Sequence, residues 1–471
     1  MASLTHATEL AGRLDRLRLS PFHWRLLILS GLGWMFDAMD ILIVASVAAA
    51  AAGEWVPGQT PEASAARAST VALITSANTG GLFFGALISG WLADRIGRKQ
   101  VFQLTLLIYS LCTGLSALAP TPEALAAVRF VAGLGLGGEL PVASTLVSEF
   151  APAARRGFLV VLLESFWAYG TVLAALIGSV IIGQLQLSWR IAFAIGALPA
   201  LYVFVLRRAL PESPRLLISQ GRYDEAEAIV ARVEQLSEVD PRQIHSPSPP
   251  VAALAPANSA RARVADLFGA GLRSRTAVLW LMWATMNFSY YGIFLWLPSQ
   301  FVRKGFSLQE ALWFNLIIAV AQIPGYFSAA WLVEWLGRKL TLAAYLVMAG
   351  VGSFFFGQHA LEARDVGQII VWGSVISFFN LGAWGVVYTY TPELYPTWLR
   401  GTGAGWAAAC GRVFAFLAPL SLPTLLALAG RDEGVFLVFT AVMVVGGLIV
   451  VVFGPETRGR SLEQASASAL A

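Results

Sequence analysis

Arg412 is a lone guanidinium in the middle of a long apolar stretch, and aromatic side chains recur at its depth in other stretches. Depth follows from a helical rise of about 1.5 Å per residue, counted from the polar segments that bound each stretch. Arg412 stands eleven residues after Gly401, about 16 Å in, and Trp384 stands nine before Glu393, about 13 Å in. Trp167 follows Gly157 by ten residues, about 15 Å, and Tyr290 and Tyr291 lie roughly 14 residues, about 21 Å, beyond Thr276. In a hydrocarbon layer about 30 Å thick, all fall in or close to the middle third. A planar guanidinium there holds a carboxylate through two hydrogen bonds. Trp167, Tyr290, Tyr291 and Trp384 offer faces for a flat ring. Asn380, Trp384 and Tyr388, spaced i, i+4, i+8, share one helical stripe, and Glu164 lies on the same face as Trp167. The chemistry is capture of a small aromatic anion. Two blander readings compete: such rings also face lipid or pack, and Arg412 can form a buried ion pair with Glu139 or Glu164.

Asp37 and Asp40 stand at i, i+3 on one face of the first apolar stretch, in Phe36-Asp-Ala-Met-Asp-Ile41. Glu139 precedes Glu149 by ten residues, about 15 Å, which puts it near the midplane. Carboxylates in such places are costly and face an aqueous cavity or a partner. Protonation neutralises that cost, so Asp37, Asp40 and Glu139 read as a proton-coupling group. A purely structural role for the two aspartates is the alternative. Arg129, 20 residues before Glu149 and so about 30 Å away, belongs at the opposite membrane edge.

The elements that must position these groups are membrane helices. The chain is 57% hydrophobic and 13% charged, with mean hydropathy +0.67. Roughly 20 apolar residues span a bilayer, and about twelve such stretches occur: 24–50, 69–93, 100–119, 122–147, 157–183, 189–207, 276–302, 309–334, 339–358, 366–391, 402–428 and 434–454. A β-barrel would show short alternating strands instead. Net charge is +4, but its placement argues against nucleic acid. Six of the 32 basic residues fall in alternate connections, Arg129 and Arg412 lie well inside apolar stretches, and the other 24 lie in the termini, the remaining loops and the stretch ends beside them. By the positive-inside rule both termini face the cytoplasm.

The chain repeats itself. Glu149-Phe-Ala-Pro152-Ala-Ala-Arg-Arg156-Gly157 returns as Glu393-Leu-Tyr-Pro396-Thr-Trp-Leu-Arg400-Gly401, 244 residues on, and Pro211-Glu212 returns as Pro455-Glu456 at the same offset. Gly90-Trp-Leu-Ala-Asp94-Arg95-Ile-Gly97-Arg98-Lys99 returns as Ala330-Trp-Leu-Val-Glu334-Trp-Leu-Gly337-Arg338-Lys339, 240 on. Ordered echoes at nearly one spacing mean a duplicated unit with its site between the halves. The paired charges at Asp94, Arg95, Arg98, Glu334, Arg338, Glu149, Arg156, Glu393 and Arg400 can bridge helix ends and gate the cycle; simple anchoring is the alternative.

The expected divisions are a tail (1–23), a six-helix bundle (24–207), a linker with short helices (208–275), a second six-helix bundle (276–454) and a tail (455–471). Pro241 to Ala257 reads as flexible. Leu10 to Arg25 reads either as an amphipathic helix on the membrane surface or as a solvated tail. No cleavable signal peptide is expected. Small residues from Asn78 to Gly90 and the glycines of Gly133-Leu-Gly-Leu-Gly137-Gly138 permit close helix packing, not dinucleotide binding. Cys112 and Cys410 read as buried core thiols. His6, His23, His245 and His359 are isolated, so neither a metal site nor a cofactor is expected.

These motifs resemble the major facilitator superfamily over nearly the whole chain. Gly90–Lys99 and Ala330–Lys339 match its signature loop. Pro211–Arg215, Glu393–Gly401 and Pro455–Arg460 resemble its sugar porters. Asp37, Asp40 and Gly137–Pro141 are more like its aromatic-acid and niacin branch. Asn287-Phe-Ser-Tyr290-Tyr291-Gly292, Trp384 and Arg412 resemble bacterial niacin transporters and synaptic-vesicle type 2 glycoproteins. The resemblance implies an all-α fold of twelve transmembrane helices in two pseudo-symmetric bundles, and no enzyme. It also implies a cavity-lining position for Glu164. The expected function is secondary active import of nicotinate or a close relative by alternating access, proton-coupled, with Asn380 or Tyr388 bonding the ring nitrogen. A benzoate-type acid/proton symporter, a sugar porter and a non-transporting receptor remain as rivals. The expected partners are substrate, protons and the lipid of a bacterial inner membrane, and the expected state is a monomer.

Overall fold

The computed structural model describes residues 9–10, 12–57, 60–178, 180–181, 185, 187–237, 263–269, 271–294, 297, 301, 304–306, 308–360, 365–396, 398–429 and 432–460. In the first half run α1 (Pro21–Trp55), α2 (Pro61–Ile96), α3 (Arg98–Ser116), α4 (Pro122–Phe150) and α5 (Arg156–Ile177). α6 (Trp189–Gly196) continues through a 3-10 turn into α7 (Tyr202–Ala209) as the sixth span. Two short helices follow, α8 (Pro214–Ser219) and α9 (Tyr223–Leu236). The second half runs α10 (Arg273–Phe294), α11 (Leu308–Val320) with α12 (Gln322–Trp335), α13 (Arg338–Phe355), α14 (Val366–Glu393), α15 (Arg400–Ala429) and α16 (Asp432–Phe453). Among the described residues, nine spans pass a test of length and apolarity singly; α15, bent by 43°, makes ten. The more polar α3 and α10 complete twelve. Residues 238–262, with the Pro241–Ala257 stretch and His245, lie outside the described residues, as do His6 and 461–471.

Backbone groups in hydrocarbon must be satisfied within the chain, so the apolar stretches are helical. Their starts are written locally: Thr60 and Thr121 each accept a bond from the backbone N–H three residues on, at 3.2 Å, ahead of a proline in the first turn. Exposed Phe84, Ile88, Trp91, Leu111, Trp331, Trp335 and Phe453 give the spans an apolar outer surface that suits lipid. α2 packs on α4 in the first half and on α15 across the halves; α5 packs on α12 and α14. The approach of α2 to α15 depends on glycine, since a Cβ at Gly90 or Gly405 would strike the opposite backbone.

The charged motifs gather at the end of the bundle that holds the described amino-terminal tail. Gly97 (φ 117°) and Gly337 (φ 91°) turn the chain between consecutive spans in a backbone region that disfavours side chains. Beside each turn sits a glutamate from the other echo. Glu212 accepts from Arg98 N at 2.9 Å and Glu456 from Arg338 N at 3.0 Å, so each caps the next helix. Burial raises the Glu212 carboxyl above its ordinary value. Arg98 pairs with Asp94 (2.9 Å) and Glu149 (3.3 Å); Arg338 pairs with Glu393 (3.0 Å) and Glu334 (3.3 Å).

The same groups join the halves. Asp94 accepts from Gly401 N (3.2 Å) and Thr402 N (2.7 Å) at the start of α15, while Glu334 accepts from Phe158 N (2.9 Å) in the first turn of α5. Arg400 reaches across to Glu149 at 2.9 Å. Arg156 pairs with Asp15 (2.6 Å) and donates to Arg460 O (3.3 Å). Arg95 is different: it lies on the Trp91 ring, 3.8 Å from its centroid, and takes none of these bridges. At the opposite end Glu54 ties α1 to α6 through Trp189 (2.6 Å) and Arg190 (2.8 Å), and the bond from Arg190 holds its carboxyl below the ordinary value.

The solvated-tail reading of Leu10–Arg25 does not fit: residues 9–10 and 12–15 are helical, with one apolar side turned inward. Leu10, Leu14 and Leu17 are buried, and Arg13 bonds Glu234 of α9 at 2.7 Å, so this segment packs onto the protein's own helical layer. Cys112 and Cys410 are free and half-buried.

Asp94→Asn keeps the shape of the side chain and removes the charge facing Arg98 and α15. Spin labels on α5 and α12 at this end should then report a larger separated population, with ligand affinity changed less. An unaltered distance distribution would reduce Asp94 to an anchor.

Candidate functional site

A cavity of about 310 Å³ empty volume, mouth included, lies between the halves. α1 and α5 supply Trp34, Glu164 and Trp167; α10, α12, α14 and α15 supply Tyr290, Tyr291, Tyr326, Leu381, Trp384, Tyr388 and Arg412.

The rings form an ordered cage. Trp384 and Tyr388 stack at 5.8 Å with planes 29° apart, and Trp283 meets Tyr388 edge-on at 4.8 Å from below the lining. Tyr290 stands perpendicular to both Tyr291 (5.1 Å) and Trp384 (6.2 Å). Across the cavity Trp34 and Trp167 lie 5.1 Å apart, and Trp34 meets Tyr388 at 6.4 Å. Trp167, Trp384 and Tyr388 are buried and Tyr290 and Tyr291 partly so. They face the cavity, not lipid.

Arg412 is 9% exposed and donates from Nη1 to the Tyr291 hydroxyl at 3.0 Å. Among the described residues it makes no ion pair, with Glu139 or Glu164 included, and its buried Nε has no hydrogen-bond partner. Glu164 shares the cavity with it and has one buried oxygen unsatisfied.

Asn380 is not in the lining. Its amide donates to Ser289 Oγ (3.2 Å) and faces Met443 Sδ (3.8 Å), so it packs α14 against α10 and α16. The stripe shared with Trp384 is real, but one turn further along it looks into the bundle. Trp34 and Tyr326 are the converse: both line the cavity, although nothing in their immediate sequence singles them out. Tyr326 stands eight residues before Glu334, so the depth rule that found Trp384 applies to it. Trp34 lies three residues before Asp37 on the same face.

The three membrane acids part company. Asp40 is ion-paired with Arg129 (2.5 Å) and accepts from Thr113 (2.6 Å), while Arg129 also donates to Asn78 (3.0 Å). Asp37 is fully buried beside the Tyr109 hydroxyl, and among the described residues neither of its oxygens is in a hydrogen bond of ordinary geometry. Its charged neighbours are Glu139, Asp40 and, from the cavity, Arg412. Glu139 accepts from Thr105 at 3.3 Å and keeps its other oxygen unsatisfied. Among the described residues no three His, Cys, Asp or Glu are placed to hold a metal ion.

A family model described as sugar (and other) transporter matches residues 32–468. The chain belongs to that family. The niacin transporter NiaP of Acinetobacter baylyi is 45% identical over 455 residues, 97% of this chain and 99% of that one. The NiaP relative of Bacillus subtilis is 40% identical over 440 residues, 93% and 98% of the two chains. The solved structure of the proton:xylose symporter XylE, bound to 6-bromo-6-deoxy-D-glucose, matches with TM-score 0.79 at 20% identity, over 95% of this chain and 98% of that one. The family member described here therefore has the major facilitator fold, two six-helix bundles around a central cavity. It is a multi-pass membrane transporter and not an enzyme.

The pairing of Asp40 with Arg129 has a measurable counterpart. Removing one partner of a buried pair strands the other charge and costs about 3–5 kcal/mol. Arg129→Met should therefore lower the unfolding temperature in detergent much more than Asp37→Asn. Equal stabilities of the two variants would sink the assignment.

Proposed function

We propose that this transporter carries nicotinate, with Arg412 on the carboxylate and the pyridine ring held in the aromatic cage. The observation that carries the reading is the Arg412 guanidinium. It is buried in a cavity walled by tryptophan and tyrosine, and among the described residues no carboxylate pairs with it. An unpartnered cation in that setting is costly, and a ligand anion supplies the missing charge. The A. baylyi niacin transporter, 45% identical along nearly the whole chain, supports the choice of acid. Tyr326 takes the ring-nitrogen role in place of Asn380: its hydroxyl is buried, lines the cavity and has no partner.

Transport follows by alternating access, with the halves rocking about the cavity. The bridges of Asp94, Glu334 and Arg400 close the tail end, which faces the cytoplasm of a bacterial inner membrane by the placement of basic residues. Asp37 carries the coupling proton, with Glu139 beside it. Asp40, held by Arg129, is assigned to structure. Protonated, Asp37 is neutral and leaves Arg412 to the substrate; ionised, it competes for the same cation. A monomer suffices for this cycle.

Arg412→Ala should cost nicotinate about 1.5–3 kcal/mol of affinity, and Arg412→Lys should restore only part, because the bidentate fork is lost. Calorimetry with nicotinate and neutral nicotinamide decides the role: equal losses would move Arg412 from the ligand to the scaffold. In proteoliposomes, labelled nicotinate should accumulate with a pH gradient ahead of benzoate and xylose. Asp37→Asn should abolish that accumulation while exchange persists; intact gradient-driven uptake would remove Asp37 from the coupling path.

A further inference from the structure

A second cavity lies away from the aromatic site, at the tail end, with a volume of about 620 Å³. Its walls are the start of α1, the end of α7, the first turn of α3 and the helix α9. That lies within the roughly 300–1,000 Å³ of ordinary small-molecule pockets. Two chemistries meet in it. One wall is apolar, with Phe22, Leu26, Leu29, Ile229 and Val233. Around it stand four cations, Arg25, Lys99, Arg208 and Arg232. Among the described residues none of these four side chains makes an ion pair. The one acid in the lining, Glu212, already accepts from Arg98 N (2.9 Å), Lys99 N (3.3 Å) and Ser213 N (2.9 Å).

We propose that this cavity binds an anionic phospholipid from the adjacent leaflet. The phosphate lies among the arginines and an acyl chain runs along Phe22, Leu26 and Leu29. Charge complementarity commits the choice: four cations and one engaged acid need an anion, and guanidinium groups bind phosphate oxygens through paired bonds. A small soluble anion would leave the apolar wall in water, whereas a lipid covers both. Basic pockets between membrane helices at this level are of the kind that hold acidic headgroups. The site also touches the gate, since Lys99 follows the Gly97 turn and Glu212 caps it. A bound lipid therefore bears on the joint between α2 and α3.

The test is native mass spectrometry of the full-length protein in detergent with phosphatidylglycerol, phosphatidylcholine or glycerol 3-phosphate. Phosphatidylglycerol should be retained in preference to phosphatidylcholine. Arg25→Gln, Arg208→Gln and Arg232→Gln should each weaken retention about fivefold. Ile229→Glu, which spares the cations and spoils the wall, should weaken it as well. Far-ultraviolet circular dichroism and a single monodisperse peak keep each variant interpretable as folded. Equal retention of the two lipids, or wild-type retention by all three arginine variants, would overturn the site. Displacement of the lipid by glycerol 3-phosphate would overturn the lipid and leave a soluble-anion pocket.

Discussion

Glu149 is the charge on which the closed end depends. It is completely buried and takes Arg98 from its own half and Arg400 from the other. A carboxylate withdrawn from water costs several kcal/mol unless cations and hydrogen bonds compensate it. In the alternating-access cycle proposed above, rocking the halves apart would strip away one of its two guanidinium groups but leave Arg98, so neither arrangement would abandon the charge. That is what a two-state joint requires. The echoed Glu393 is built otherwise: Arg338 and Thr457 satisfy it within the second half. The duplication is thus symmetric in spelling and in helix caps, and asymmetric in which arginine crosses between the halves.

The cavity sits beyond this closed end and reverses its logic. Near the tails the buried acids and guanidinium groups of the joint meet one another; at the aromatic cage, among the described residues, one guanidinium meets no acid. Arg412 has a tyrosine hydroxyl and the distant influence of Asp37 and Glu164. The rings do not compensate a full charge, but they fix its position and exclude water. The site is therefore poised toward anions by electrostatics and toward flat molecules by shape.

Much of this arrangement is legible in the residues alone, and the divide has a physical cause. Helical rise converts sequence distance into depth, so Trp167, Trp384 and Arg412 can be placed near one level from their distance to a polar landmark. Rotation about the helix axis is a second coordinate that needs a neighbour to define it. Asn380 has a suitable position along its stripe and turns into the packing of α14; Tyr326 and Trp34 have the right depth and face the cavity because of helices that no local pattern names. The same holds for Asp37 and Asp40. Their spacing puts them on one side of α1, but only the fold brings Arg129, 89 residues away, to one and not the other. The repeat is the strongest signal because it is read twice, and the paired glutamates at Glu212 and Glu456 show what the echo preserves: a cap for the helix after each glycine turn.

Asp15 carries a consequence for where this transporter begins as a physical object. It stands ahead of the first span, in a stretch that hydropathy treats as dispensable, yet it is shared by Arg156 (2.6 Å) and Arg215 (2.9 Å). Arg156 opens α5, and Arg215 also holds the Glu149 carbonyl at 3.0 Å. A minimal protein trimmed to its hydrophobic spans would leave two buried cations one carboxylate short, directly beneath the joint between the halves. The working unit is therefore larger than its membrane-embedded part, and an affinity handle belongs well ahead of this aspartate.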